Sequence, residues 1–290
     1  MFIILGGTGH VGSAAAKALL DQGEAVTIVT RNPSKAEPMR ARGAAIAVAD
    51  VRDVEAMRQV FRRGRRLFML NPPADPATDT DAVERETIRC LLQALDQSGL
   101  EKIVAQSTYG ARPGERCGDL TTLHELEVGL GRQEIPVSII RAAYYMSNWD
   151  GLFDVAVADG VLPTMLPEDL RIPMVAPQDI GKFAARLLAE PAERTGLHHV
   201  EGPERYTPRD VAIAFGKTLG KPVRPVAIPR DQWIETFREL GFSEPAAASY
   251  ARMTVVTVDE AYEPPEAPVR GEVTLERYVE ALSRRPAPRM

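Results

Sequence analysis

The sequence predicts an α/β protein: a Rossmann-like, doubly wound parallel sheet with a smaller C-terminal α+β lobe. Three observations carry this. Short apolar runs alternate with helix-period stretches through the first half, a glycine-rich turn joins the first run to the first helical stretch, and the rhythm loosens after residue 143. Brief apolar strands separated by helices are buried on both faces, which calls for a parallel sheet covered on each side. Right-handed crossovers then place ligands at the carboxyl ends of the strands.

Taken in order, strands are predicted at 2–5, 25–30, 44–49, 66–70, 102–106 and 136–141, rich in Val, Ile and Phe. Helices are predicted between them at 12–22, 33–42, 53–62, 79–98 and 120–133. Residues 1–143 form the dinucleotide-binding domain, and 171–200 return to it through a sheet-covering helix at 177–190. Residues 144–170 and 201–290 form the substrate-binding lobe, with helices at 208–219, 230–240, 244–252 and 274–284. The proline-rich stretch 264–268 reads as a stiff connector and 284–290 as a loose tail.

The formal net charge of −5 argues against nucleic acid or an anionic membrane as partner, since both favour a basic face. The basic run Arg62-Arg63-Gly64-Arg65-Arg66 falls in a turn and reads as solvated surface. Two cysteines without a C-x-x-C leave no disulfide framework or cysteine zinc site, and no metal is expected. No apolar run approaches the ~18 residues of a membrane span. A secretory leader is not expected either, so the cytoplasm is the expected location. The expected partner is a small-molecule substrate; a homo-oligomer or a regulatory protein partner stays open.

The loop Gly6-Gly7-Thr8-Gly9-His10-Val11-Gly12 is a phosphate cradle in both of its phasings, G-x-G-x-x-G and G-G-T-G-x-x-G. It follows a strand and opens a helix, the context that gives the pattern a mechanism. Glycine permits the tight turn and close backbone approach to a pyrophosphate, and the helix N-terminus supplies N–H donors. An NAD-preferring site wants a carboxylate about 20 positions past the loop. Here the chain reads Val29-Thr30-Arg31-Asn32-Pro33-Ser34-Lys35. Arg31 can fork onto a 2′-phosphate and Lys35 adds a second charge, so NADP(H) is favoured over NAD(H). Asp50, before Val51 at the end of the third strand, either accepts from the adenine amine or caps the next helix.

These segments, with the late stretch from Val175 to Val223, resemble the NmrA-like group of atypical short-chain dehydrogenases/reductases over roughly residues 1–282. The resemblance implies NADPH-dependent reduction of quinones or triphenylmethane dyes, or redox sensing without turnover. It also places the backbone of Asn71 and Pro72 against the nicotinamide ribose. It lines the nicotinamide face and substrate pocket with the stretch from Arg141 to Trp149, including Ala143, Tyr144, Tyr145, Asn148 and Trp149.

The parent superfamily's Tyr-x-x-x-Lys dyad is missing. None of the seven tyrosines has lysine four positions later, and no lysine occurs between Lys102 and Lys182. Ordinary alcohol dehydrogenation and sugar epimerisation by that dyad are therefore not expected. Ser107, expected against the cofactor, and Tyr109 follow the fifth strand at the sheet's carboxyl end. Tyr109 either hydrogen-bonds a substrate oxygen or packs against the small lobe. His124 shares a helix face with Glu127 and is either an acid or cofactor contact or a satisfied histidine. The reading is hydride transfer to a conjugated acceptor, with an NADP(H)-binding sensor as the alternative.

Overall fold

The structure, a computed structural model, describes residues 1–260 and 265–284. The first half runs β1 (Phe2–Ile4), α1 (His10–Asp21), β2 (Val26–Thr30), α2 (Glu37–Arg40), β3 (Ala45–Val48), α3 (Val54–Phe61), β4 (Arg66–Met69), α4 (Thr80–Ala94), β5 (Lys102–Thr108), α5 (Asp119–Leu130) and β6 (Val137–Ala142). Next come β7 (Tyr144–Tyr145), α6 (Phe153–Asp159), β8 (Val161–Thr164), β9 (Ile172–Val175), α7 (Pro177–Ala189) and β10 (Gly196–Glu201). The chain continues through β11 (Arg205–Tyr206), α8 (Pro208–Leu219), β12 (Arg224–Ala227), α9 (Trp233–Glu239), α10 (Glu244–Asp259), β13 (Val269–Arg270) and α11 (Leu275–Ser283).

Eight strands pair in parallel in the order β13-β10-β6-β5-β4-β1-β2-β3. Strand side chains alternate between faces, and both faces are buried. Ile4, Ile28, Phe68, Val104 and Ile140 pack under α1 and α7. Ile3, Leu5, Val29, Leu67 and Ile103 pack under the helices of the other layer, with Met57, Leu91 and Leu126. A third core, around Met146, Trp149, Leu162, Phe215 and Tyr278, holds the smaller lobe. Helices begin where the sequence offers caps: Asp53, Asp79, Ser243 and Thr274 each accept a first-turn N–H. Thr207 and Asp210 form a capping box on α8.

Helix α7 crosses α1 closely because Gly181 carries no side chain. A Cβ there would lie 2.5 Å from Ala14 Cβ and 2.7 Å from the Val11 carbonyl. The structure differs from the sequence expectations in several places. Pro38 helps split the expected 33–42 helix into a 3₁₀ turn at Pro33–Ala36 and the short α2. Helix α10 runs seven residues past the expected 252, through a Thr/Val stretch that disfavours helix locally and is stabilised by packing. β9 joins β7 and β11 in a separate three-stranded sheet, while β13 from the far C-terminal region completes the main sheet beside β10. The connector expected at 264–268 lies partly, and the tail expected at 284–290 almost wholly, outside the described residues.

Candidate functional site

The carboxyl ends of β1 to β4 open onto a cleft of about 470 Å³. Its floor is the glycine turn. Gly6 has φ +63°, and the Gly9 N–H donates to the Gly6 carbonyl at 2.9 Å. α1 starts at His10 without a side-chain cap on its N-terminal amides, leaving donors for an anion. Gly12 lets the helix close on the turn, because a Cβ there would overlap the Gly6 carbonyl. Gly7 is needed for another reason: its Cβ would press 2.6 Å from the Ile28 side chain.

The cleft gathers Gly6, Thr8, Arg31, Lys35, Asp50, Val51 and Pro72. Thr30 Oγ1 accepts the Asn32 N–H at 3.1 Å, and Asn32 Oδ1 accepts the Ser34 N–H at 3.1 Å, so the loop carrying Arg31 is held in shape. Arg31 and Lys35 are both exposed, and neither has an ion pair with the described residues. Asp50 accepts the Arg52 N–H at 2.9 Å and stands 3.6 Å from its guanidinium, while Asp53 is the cap of α3. Sequence reasoning missed Arg52, Thr30, Asn32 and the Pro73–Thr78 wall as cleft residues. The wall has no motif; it comes into place through the fold of the β4–α4 loop.

The remaining expected cofactor contacts lie elsewhere in the site. Val11 is a core side chain, and Gly9 and His10 form the start of α1. Asn71 keeps Oδ1 buried without a partner among the described residues, an acceptor available to a ligand donor. Ala143 is buried and donates its N–H to Val200. Ser107 is buried and donates to Glu127 at 2.5 Å. Glu127 also receives both arms of the Arg141 fork, at 2.9 and 2.6 Å. Glu127 is thereby engaged by Ser107 and Arg141, and His124, one turn earlier, is half-buried.

Tyr109 is 7% exposed, stacks on His199 and donates to Glu201 Oε1 at 3.1 Å. Burial first, then the Glu201 charge, raise its hydroxyl pKa far above the ordinary value. Its proton is committed inside the fold, which weighs against the proton-donating role considered from sequence. Tyr144 hydrogen-bonds Asn148, and burial pushes its hydroxyl up to about 12. Its ring tilts against Trp149 at 6.3 Å, and Trp149 Nε1 is buried without a partner among the described residues. Tyr145 turns to the other side and packs against the core under α1 and α7.

The basic run is mostly exposed, and three of its arginines also bond within the fold. Arg62 donates to the Gln97 carbonyl, Arg65 pairs with Glu101, and Arg66 donates to the carbonyls of Leu188 and Glu190. Cys90 and Cys117 are buried free thiols, both pushed up by burial. Among the described residues no cluster could hold a metal, and no helix is long and apolar enough to cross a membrane.

Residues 1–283 match the family described as NmrA-like. The chain belongs to the NmrA-like family. This NmrA-like protein is 23% identical over 247 residues to an NAD(P)H azoreductase of Xenophilus azovorans, covering 85% of this chain and 84% of that one. Its fold is similar to triphenylmethane reductase of Citrobacter sp. complexed with NADP(H), with a TM-score of 0.81, 17% identity and coverage of 97% and 100%. It is also similar to the NADPH-dependent quinone oxidoreductase of Escherichia coli complexed with NADPH, with a TM-score of 0.75, 20% identity and coverage of 98% and 100%. The solved relatives thus share the fold across nearly the whole chain.

Proposed function

We propose that this NmrA-like protein is an NADPH-dependent reductase of small conjugated acceptors, such as quinones or dyes, working without a Tyr-x-x-x-Lys dyad. The observation that carries the reading is the cleft itself, which joins the glycine turn to the exposed Arg31 and Lys35. The residues fit the cofactor. The α1 amides suit the pyrophosphate, Arg31 and Lys35 suit a 2′-phosphate, and Asn71 Oδ1 is an orphaned acceptor on the nicotinamide side. The reduced nicotinamide, when bound, supplies a hydride.

The protein's own part is positioning. Tyr144 and Asn148, with the buried Trp149 packed behind Tyr144, would offer a wall that holds a conjugated acceptor and excludes water. The azo-, quinone- and dye-reducing activities named for the relatives support this substrate class. One observation favours the sensor reading. Ser243, the cap of α10, takes the Pro76 carbonyl through its N–H and the Thr78 carbonyl through its hydroxyl. The cleft wall is thereby tied to the smaller lobe, a route by which cofactor could move it.

Calorimetric titration of wild type and Arg31→Ala tests both readings. Wild type is expected to prefer NADPH over NADH, and the variant to lose about 10- to 100-fold in NADPH affinity with NADH unchanged. An unaltered preference in Arg31→Ala would remove the 2′-phosphate role. The sensor reading further requires unequal affinities for NADPH and NADP⁺, because a ligand shifts an equilibrium only through differential affinity.

A further inference from the structure

We propose that Arg52 is a specificity-determining residue of the cofactor cleft. Its guanidinium is the counter-charge to Asp50, cancelling a carboxylate that would otherwise oppose a 2′-phosphate. This rests on the NADPH reading above and deepens it by naming the residue that lets the two acidic and basic edges of one cleft coexist.

The charged side chains lining the cleft, among the described residues, are Arg31, Lys35, Arg52, Asp50 and Asp75. Asp50 is the carboxylate on the Arg31 side. The Ala49 N–H donates to the Thr30 carbonyl at 3.2 Å, one step past the end of β3, so the chain leaves the sheet at Asp50 alongside the loop that carries Arg31. Asp75 comes from the β4–α4 loop, with β1 and β2 between β4 and β3, and its Oδ1 accepts the Ala77 N–H at 3.0 Å. A carboxylate near the adenosine ribose suits a free hydroxyl and so favours NAD. Toward a phosphate it is a like charge, and it also competes for the arginine meant to hold that phosphate. This cleft carries both Arg31 and such a carboxylate, and Arg52 reconciles them.

A tight turn joins the pair. The Asp53 N–H donates to the Asp50 carbonyl at 3.0 Å, and Asp50 Oδ1 accepts the Arg52 N–H at 2.9 Å. Arg52 Nε stands 3.6 Å from that same oxygen. Asp53 is spent on capping α3, where it accepts the Ala56 N–H at 3.0 Å. Glu86 of α4 also feels the Arg52 charge, but both of its oxygens are held by Arg89, at 2.9 and 2.5 Å. The fold thus leaves Arg52 to Asp50.

The pair contributes little to folding, because the two side chains stay 49% and 37% exposed and exposed pairs are screened by solvent. Its effect is on the field of the cleft. With Asp50 balanced, Arg31 and Lys35 present their charge to an anion with no uncompensated carboxylate beside them.

The test is calorimetric titration of full-length wild type, Arg52→Ala, Arg52→Lys, Asp50→Asn and the double variant Asp50→Asn/Arg52→Ala with NADPH and NADH, at low and high salt. Arg52→Ala is expected to lose about 10-fold in NADPH affinity at low salt, with NADH bound no more weakly than by wild type. The deficit shrinks at high salt. Arg52→Lys, which keeps the charge, retains most of the preference, and thermal melts of all the variants stay close to wild type. The double variant recovers most of the NADPH affinity, since no carboxylate is left to cancel; the four-protein cycle shows coupling between the two positions for NADPH and none for NADH. Equal losses for both cofactors in Arg52→Ala overturn the proposal, and so does a double variant as weak as Arg52→Ala. A preference that Arg31→Ala removes and Arg52→Ala leaves intact overturns this role alone. A wild type that binds NADPH no better than NADH overturns the NADPH reading and this role with it.

Discussion

Gly12→Ala is expected to abolish measurable dinucleotide binding and to destabilise the fold. The added Cβ would overlap the Gly6 carbonyl and lie 2.9 Å from the Gly7 nitrogen. All of these are backbone atoms, so no side chain can rotate away. Either α1 shifts off the turn or the turn opens, and each outcome moves the α1 amides relative to a pyrophosphate by a sizeable fraction of a hydrogen-bond length. A loss of at least about 100-fold in NADPH affinity follows, with about 1–3 kcal/mol of overpacking cost. Gly9→Ala supplies the contrast. Its Cβ meets only the Gly6 carbonyl oxygen, at 3.4 Å, and its φ of −96° suits any residue. That variant should melt like wild type while still crowding the phosphate. Calorimetry and thermal melts on both proteins check the pair; wild-type NADPH binding by Gly12→Ala would refute the cradle.

Glu201→Ala is expected to cost the most stability of any single polar change outside that turn. Glu201 is fully buried at the end of β10. Its Oε1 accepts from Tyr109 at 3.1 Å and Arg205 at 2.9 Å, and its Oε2 accepts from Arg270 at 2.7 Å. Removing the carboxylate strands a buried phenol and two guanidinium groups, and releases β13 from its ion pair to β10. Arg205 and Arg270 retain partial solvent access, which softens the loss. The expected cost is about 2–4 kcal/mol, measured by urea unfolding. Tyr109→Phe, which removes one neutral donor, should cost about 1 kcal/mol. Superimposable unfolding curves for wild type and Glu201→Ala would show that the network contributes little. Retained quinone turnover in Tyr109→Phe would agree with a structural tyrosine.

Much of the fold was legible because local physics decided it. The six strands of the first half announce themselves as short apolar runs, buried except at the edge strand β3, and α3, α4, α7 and α8 begin at caps or prolines visible in the chain. The 3₁₀ turn at Pro33 and the length of α10 were not legible. In both, a proline or a β-branched run sets local preference against what packing allows. The two-residue β13 is too short to show any periodicity. Its place beside β10 depends on an ion pair to a residue 69 positions away.

The site divides the same way. The glycine turn, Arg31, Lys35 and Asp50 could be read in advance because they lie at fixed offsets from strand ends, and the parallel sheet brings those ends to one edge. Ser107, Tyr109 and Glu127 could be located in sequence, but their partners could not. Only the tertiary structure commits Ser107 and Arg141 to Glu127, and Tyr109 to Glu201. By itself, the sequence determined the first six strands of the sheet, the glycine turn after the first of them and the absence of a Tyr-x-x-x-Lys pattern, since each is a matter of residue type at short spacing. The tertiary structure decided which polar groups are already satisfied and which remain open, because hydrogen-bond partners and burial come from segments distant in the chain.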